Sequence, residues 1–200
     1  MHKFDKNPRM FKYSILIAIV LVQACETAKV DPVSLEIGPY LAKNHQVTTD
    51  HAAAFMMAPY QNLLVGLNTH DTSYLRANAT DFIHMNDSLA SLSMPLDSNL
   101  RSNWVIGLQN INAELEGLLA AIRMNDPMEM KMSIHMTGLQ FLHLLGQIGY
   151  KEQRVYIFNN ADENKEDGYT WMGLQKNAKD PFHPQQKTPV VAVQLLEESK

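Results

Sequence analysis

Soft donor atoms are concentrated in one short segment of this chain. Met128, Met132, His135 and Met136 lie within nine residues of one another, and thioethers and imidazoles are suitable ligands for copper(I). In a helix, residues three and four apart are neighbours, so Met128, Met132 and His135 would share one face. A copper(I) site of three ligands is therefore geometrically possible. Core packing is the favoured interpretation, because methionine fills irregular gaps between helices.

No pattern in the sequence recommends a catalytic site. The chain contains no Gly-x-Ser-x-Gly, phosphate-loop or His-Glu-x-x-His motif, which mark several classes of enzyme. Glu114 and Glu116 are two residues apart, so on a helix their carboxylates point away from each other. The acidic segment 159–168 lacks the spacing of a calcium-binding EF-hand and is expected to be a solvated loop. We expect a binding or structural protein and not an enzyme.

The N-terminus is typical of an exported bacterial lipoprotein. Its positive charges are Lys3, Lys6, Arg9 and Lys12. The apolar stretch 14–22 that follows is short for a membrane span but suits a signal peptide. It ends in Leu21-Val22-Gln23-Ala24-Cys25, which looks like a lipobox. Cys25 is the only cysteine in the chain, and we expect its thiol to carry a diacylglycerol that anchors the protein to a membrane.

These features divide the chain into three parts. We predict a signal peptide at 1–24, a lipidated N-terminus and tether at 25–48, and one domain at 49–196. The formal charge of −4 becomes more negative when the basic signal peptide is removed, which argues against a nucleic-acid partner. Glu26, and not the aspartate linked to inner-membrane retention, follows the cysteine. We therefore expect the outer membrane, with the domain facing the periplasm or the surface.

Four helices are predicted before Gly149. The first covers about 50–67, where Pro59 either kinks it or marks its start, and the second covers about 72–92. In the third, apolar residues alternate at spacings of four and three, at Trp104, Leu108, Ile111, Leu115, Leu118 and Ile122. The fourth begins at Asp126-Pro127 and ends at Gly149. It carries two apolar stripes, one through Met130 and Phe141 and one through Met128 and Leu142, so it should pack against two neighbours.

The fold class predicted from this pattern is mainly α, an antiparallel four-helix bundle, because short connections join successive helices. After Gly149, β-prone segments occur at 155–158, 168–172 and 190–193. They predict a small C-terminal β-rich appendage that covers one end of the bundle and does not fold alone.

Several short motifs occur in a familiar order between about Tyr60 and Val193. They are Trp104 early in a long helix, Val155-Tyr156, Gly168-Tyr169-Thr170-Trp171 and Asp180-Pro181-Phe182. Their order resembles a family of exported bacterial domains of unknown function. Its members occur alone as lipoproteins or at the C-terminus of periplasmic adaptor subunits of copper and silver efflux pumps. The resemblance implies copper(I) or silver(I) handling and an envelope or efflux complex as a partner.

The chain departs from that family at its sulfur ligands. Asn160-Ala161-Asp162 stands where the family has Cys-Pro-Met. The family also has a later methionine and cysteine, and this chain has neither at the matching positions near Lys187 and Val190. We therefore carry over no metal ligand, but His183 lies near the site that the family would use and is added as a candidate ligand. Two functions remain open for a lipid-anchored envelope protein, namely metal handling and docking to an envelope complex without a metal role.

Overall fold

The computed structural model describes residues 47–92, 96–160, 168–175, 179–185 and 191–194. The helices are α1 (Val47–Thr69), α2 (Thr72–Ser91), α3 (Ser98–Met124) and α4 (Pro127–Ile148), and the strands are β1 (Tyr156–Asn159), β2 (Thr170–Gly173) and β3 (Val191–Gln194). The predicted mainly α fold with a small C-terminal β element is confirmed.

Cys25 and the predicted signal peptide lie outside the described residues. Within these ranges, no helix combines the length and apolar character needed to cross a membrane.

Capping residues define both ends of α4. Asp126 accepts hydrogen bonds from the N–H groups of Met128 and Glu129 at the start of α4, where helical N–H groups have no partner within the helix. Gly149 closes α4 in the left-handed conformation, with φ of 65°. Both predicted ends of this helix are confirmed. Pro59 lies inside α1 and does not mark its start.

The regular apolar stripe of α3 forms the centre of the hydrophobic core. Its predicted residues are all buried, namely Trp104, Leu108, Ile111, Leu115, Leu118 and Ile122. α3 packs against α2 and α4, and α1 packs against the same two helices. Polar contacts join some of these pairs, as where the Asn86 amide donates to Asn112 Oδ1 at 2.8 Å.

The three strands form one antiparallel sheet with β1 in the middle. Ile157 of β1 lies opposite Met172 of β2 and Val193 of β3. The rings of Phe158 and Trp171 stack with centroids 5.5 Å apart. All three predicted strands are confirmed, with small shifts of their ends.

Two side chains of α1 fasten β2 to the helices. Gln61 Nε2 donates to the Met172 carbonyl at 2.9 Å, and the Met172 N–H donates to Tyr60 Oη at 3.4 Å. The hydroxyl fits because α4 has Gly138 beside it, where a Cβ atom would lie 2.5 Å from Tyr60 Oη. Burial raises the pKa of Tyr60, so it stays a neutral hydrogen-bonding group. This contact sets the position of β2 relative to α4.

Candidate functional site

Met128 and Met132 lie on the surface of α4. Their side chains are 72% and 41% exposed, whereas Met130 on the other stripe is 5% exposed. The prediction that both apolar stripes pack is wrong for the first turns of α4. The second stripe becomes buried only towards its C-terminal end, at Leu142, because the described elements cover α4 there. Core packing therefore does not explain Met128 and Met132, while Met136 is partly buried.

His135 lies between α4 and the sheet, with one ring nitrogen beside the backbone of β2. Its Nδ1 atom is 2.9 Å from the Thr170 nitrogen and 3.2 Å from the Thr170 oxygen. In one neutral tautomer Nδ1 accepts the Thr170 N–H and Nε2 carries the proton. In the other, Nδ1–H donates to the carbonyl, and Nε2 has a lone pair that can bind a metal. Burial lowers the pKa of His135, so its ring is neutral near pH 7.

His183 has different partners from His135. Its Nδ1 atom is 2.9 Å from Asn160 Nδ2 and 3.4 Å from Asp180 Oδ2. Both histidine rings contact Tyr169, each with a centroid distance of 5.7 Å. The structure thus brings His183 next to Asn160 and binds it into a set of hydrogen bonds that does not include His135.

We call this set the C-terminal network: Asn160, Asp180, His183 and the backbone groups that they bind. Asp180 Oδ1 accepts the N–H groups of Phe182 and His183, and Asp180 Oδ2 accepts from Asn160 Nδ2 at 2.7 Å. Asn160 Oδ1 accepts the Tyr169 N–H at 2.6 Å. Asp180 is 5% and Asn160 8% exposed, and a buried carboxylate requires such partners because it has lost its water.

Asn160 corrects one sequence-based expectation and reveals a missed feature. Asn160, the second residue of the expected solvated loop at 159–168, is buried, while residues 161–167 of that loop lie outside the described residues. The turn at Asp180 has a local signal, since an aspartate before proline commonly accepts N–H groups two and three residues later. The pairing of Asn160 with Asp180 has no such signal, because the two residues are twenty positions apart and only folding places them together.

Aromatic and polar contacts join the network to α4. The rings of Tyr169 and Phe182 stack with centroids 4.5 Å apart and an angle of 5°. Lys131 Nζ on α4 donates to the Phe182 carbonyl at 2.9 Å. The face of α4 that carries His135 is therefore fixed against the C-terminal segment, while Met128 and Met132 remain accessible beside it.

Glu114 on α3 lies near the first turn of α4. Burial and the negative charge of Glu129 raise the pKa of Glu114, so the two carboxylates are close enough to repel each other.

The donor set at this surface consists of thioethers and one imidazole. No group of three or more histidine, cysteine, aspartate or glutamate residues arranged to hold a metal occurs within the described ranges. We refer to Met128, Met132 and His135 as the methionine face.

No protein family, curated protein or solved structure matches the chain, so the methionine face and the C-terminal network are interpreted from their own geometry.

Proposed function

We propose that this chain is a lipid-anchored protein of the bacterial cell envelope whose domain binds copper(I) or silver(I) at the methionine face. The observation that carries the proposal is the exposure of two thioethers one helical turn apart, on the helix face that also bears His135. Soft sulfur ligands select copper(I) and related ions. Since these two side chains are not part of the core, their apolar surface has no packing role in the described structure.

His135 supplies the third ligand through a change of tautomer. When Nδ1–H donates to the Thr170 carbonyl at 3.2 Å, Nε2 is free to bind the ion. A backbone carbonyl that holds the second nitrogen is the usual arrangement behind a metal-binding histidine. Met136 is one residue further along and partly buried, and it stands as a fourth donor. His183 lies in the C-terminal network and is not part of this proposed site.

The four helices form an antiparallel bundle in this proposal. Asn62 on α1 bonds to Asn78 on α2, and Gly66 lies against Leu75, so the partner number falls as the α1 number rises. The contacts between Gly107 and Leu144 and between Gly117 and Ser133 follow the same rule for α3 and α4. Such a bundle gives α4 a rigid support, which keeps the thioethers at one-turn spacing.

The lipid on Cys25 holds this domain near a membrane, with the outer membrane as the proposed location. The domain faces the periplasm or the surface in this proposal. No enzymatic activity and no nucleic-acid partner form part of the proposal.

Copper(I) titration of the full chain against a competing chelator tests the metal role. We expect Met132→Leu combined with His135→Leu to weaken binding by at least about tenfold, because two of the four proposed donors are lost. Met130→Leu is the matched control, since it removes a buried thioether from the same helix. The proposal fails if the unmodified chain takes up no copper(I) at micromolar concentration, or if the control and the double variant bind equally.

A second candidate function is docking to an envelope complex. Met124 is 68% exposed and lies just before the α3–α4 turn, so with Met128 and Met132 it adds apolar surface at this end. Methionine side chains adapt their shape to different partners. Crosslinking in membranes separates the two functions. If docking is the role, Met128→Leu with Met132→Leu keeps the crosslinked partner, whereas lysine at both positions abolishes it, and added copper(I) changes neither result.

A further inference from the structure

The methionines of this chain include two groups that differ in solvent exposure. Met124, Met128 and Met132 are 68%, 72% and 41% exposed. The buried group is 5% exposed or less and consists of Met56, Met57, Met130 and Met172. A thioether reacts with an oxidant in solution only where the oxidant can reach its sulfur atom. The exposed group is therefore open to oxidation in the folded protein, whereas the buried group is protected.

The exposed thioethers can take an oxygen atom from hydrogen peroxide, a two-electron oxidant. The sulfur lone pair attacks one peroxide oxygen and the O–O bond breaks. The leaving hydroxide takes the proton of the transferred oxygen and becomes water. Sulfur loses two electrons and becomes a sulfoxide, while the peroxide is reduced. A thiol-dependent methionine sulfoxide reductase reverses the change, with two thiols oxidised to a disulfide and the oxygen released as water.

The fold tolerates this change at the exposed positions. A sulfoxide is more polar than a thioether, so within a core it disrupts the packing. Met128 and Met132 do not belong to the hydrophobic core. Helix α4 is held by its caps at both ends and by the buried stripe through Met130. Oxidation of the exposed pair therefore alters the surface of α4 and leaves its packing intact.

Oxidation also changes the donor atoms of the methionine face. A thioether is a soft ligand that suits copper(I) and silver(I), whereas a sulfoxide offers a hard oxygen. Oxidation of Met128 and Met132 removes both sulfur donors and leaves His135 with the partly buried Met136. A bound ion has the opposite effect, since it occupies the lone pair that attacks the peroxide. Metal binding and oxidation therefore compete for the same two sulfur atoms.

We propose that Met128 and Met132 form a reversible modification site, at which oxidation by hydrogen peroxide switches off metal binding. This inference rests on the proposed function, because it assigns the regulation of the same site. Met124 provides an internal comparison. It is almost as exposed as Met128, but it is the last residue of α3 and is not part of the methionine face. Met124 therefore oxidises whether or not an ion is bound.

Peroxide treatment of the full chain in detergent tests the modification. Cys25→Ser removes the only thiol, which would otherwise react with both peroxide and silver(I). Met124, Met128 and Met130 share the tryptic peptide 124–131, so fragment-ion mass spectrometry compares them directly. We expect Met124 and Met128 to oxidise at least about tenfold faster than Met130. Equal rates at Met128 and Met130 overturn the proposal.

Silver(I) then tests the competition between metal and oxidant. Unlike copper, silver(I) does not cycle its oxidation state with peroxide, and a chloride-free buffer keeps it in solution. We expect a saturating concentration to slow the oxidation of Met128 and Met132 by at least about tenfold and to leave Met124 unchanged. Equal protection of all three methionines overturns the assignment to the methionine face.

Silver(I) affinity before and after oxidation separates this inference from the proposed function. The oxidised chain should bind at least about tenfold more weakly, and reductase treatment should restore the affinity. Met128→Leu with Met132→Leu is the matched control, because peroxide should leave its residual affinity unchanged. If the reduced chain binds no silver(I), the proposed function fails. If the reduced and oxidised chains bind silver(I) equally, the switch fails and the metal role stands.

Discussion

The methionine face and the C-terminal network lie close together but differ in how their donor atoms are used. In the network, both oxygens of Asp180 and both polar atoms of the Asn160 side chain bind other parts of the chain. At the methionine face, the side chains of Met128 and Met132 are exposed. A saturated and buried polar set stabilises a structure, because any ligand would have to displace existing bonds. Exposed soft donors meet no such competition.

The two histidines have different partners but a similar arrangement around Nδ1. His135 Nδ1 lies 2.9 Å from the Thr170 nitrogen and 3.2 Å from the Thr170 carbonyl, and His183 Nδ1 lies 2.9 Å from the Asn160 amide and 3.4 Å from the Asp180 carboxylate. The shorter contacts favour the proton on Nε2 in both rings. The proposed copper(I) site therefore requires a change of tautomer at His135, in which Nδ1–H donates to the Thr170 carbonyl and Nε2 is released for the ion.

The largest expected effect is the loss of the Asp180 carboxylate. Asp180→Ala removes the acceptor of three hydrogen bonds and should lower the free energy of unfolding by about 3 kcal/mol, since it leaves buried donors unpaired. Urea denaturation followed by fluorescence measures it. Asp81→Ala, at an exposed aspartate of α2, should change stability by less than about 0.5 kcal/mol. Similar losses in the two variants would mean that the network does not stabilise the C-terminal segment.

The next effect concerns the contact that joins β2 to Tyr60 of α1, beside Gly138 of α4. Gly138→Ala places a Cβ atom 2.5 Å from Tyr60 Oη and should cost about 2 kcal/mol of stability through overpacking. Tyr60→Phe removes the hydroxyl and should recover part of this loss in the double variant. A double-mutant cycle measures the coupling between the two positions. Additive effects would show that the clash is relieved elsewhere and that Gly138 does not position β2.

A matched pair of substitutions tests whether the two histidines have different roles. His135→Gln should weaken copper(I) binding by about tenfold, as expected when a metal ligand or its support is lost, whereas His183→Gln should change it by less than about threefold. The same chelator competition measures both affinities. Equal weakening by the two substitutions would place His183 in the metal site and remove the distinction between the two regions.

The smallest effect is electrostatic and lies beside the methionine face. Burial and Glu129 raise the pKa of Glu114, so its ionised form is unfavourable in the folded protein. Glu114→Gln should therefore raise the melting temperature slightly at pH 7. The gain should shrink as pH falls through the raised pKa and disappear below the ordinary value of about 4.3. Glu116→Gln, at an exposed position of the same helix, is the control for the loss of one carboxylate.

Local patterns determined the helices and strands of this protein. The apolar spacing of α3, the Asp126-Pro127 start of α4 and its Gly149 stop are contained in a few neighbouring residues, and such signals act before any tertiary contact forms. The segment Leu21-Val22-Gln23-Ala24-Cys25, on which the proposed lipidation rests, is a local pattern as well. Pro59 is an exception. The local sequence allows it either to kink α1 or to mark its start, because packing decides whether a helix continues through a proline.

Tertiary structure alone decided which of these residues are covered. Met128 and Met130 have the same side chain two positions apart, yet one is exposed and the other buried, because exposure depends on what other elements place against α4. The pairing of Asn160 with Asp180 depends likewise on packing between segments. The sequence alone shows which side chains carry thioether, imidazole, carboxylate and amide groups. The packing of helices and sheet determines which of these groups are bound within the fold and which remain accessible.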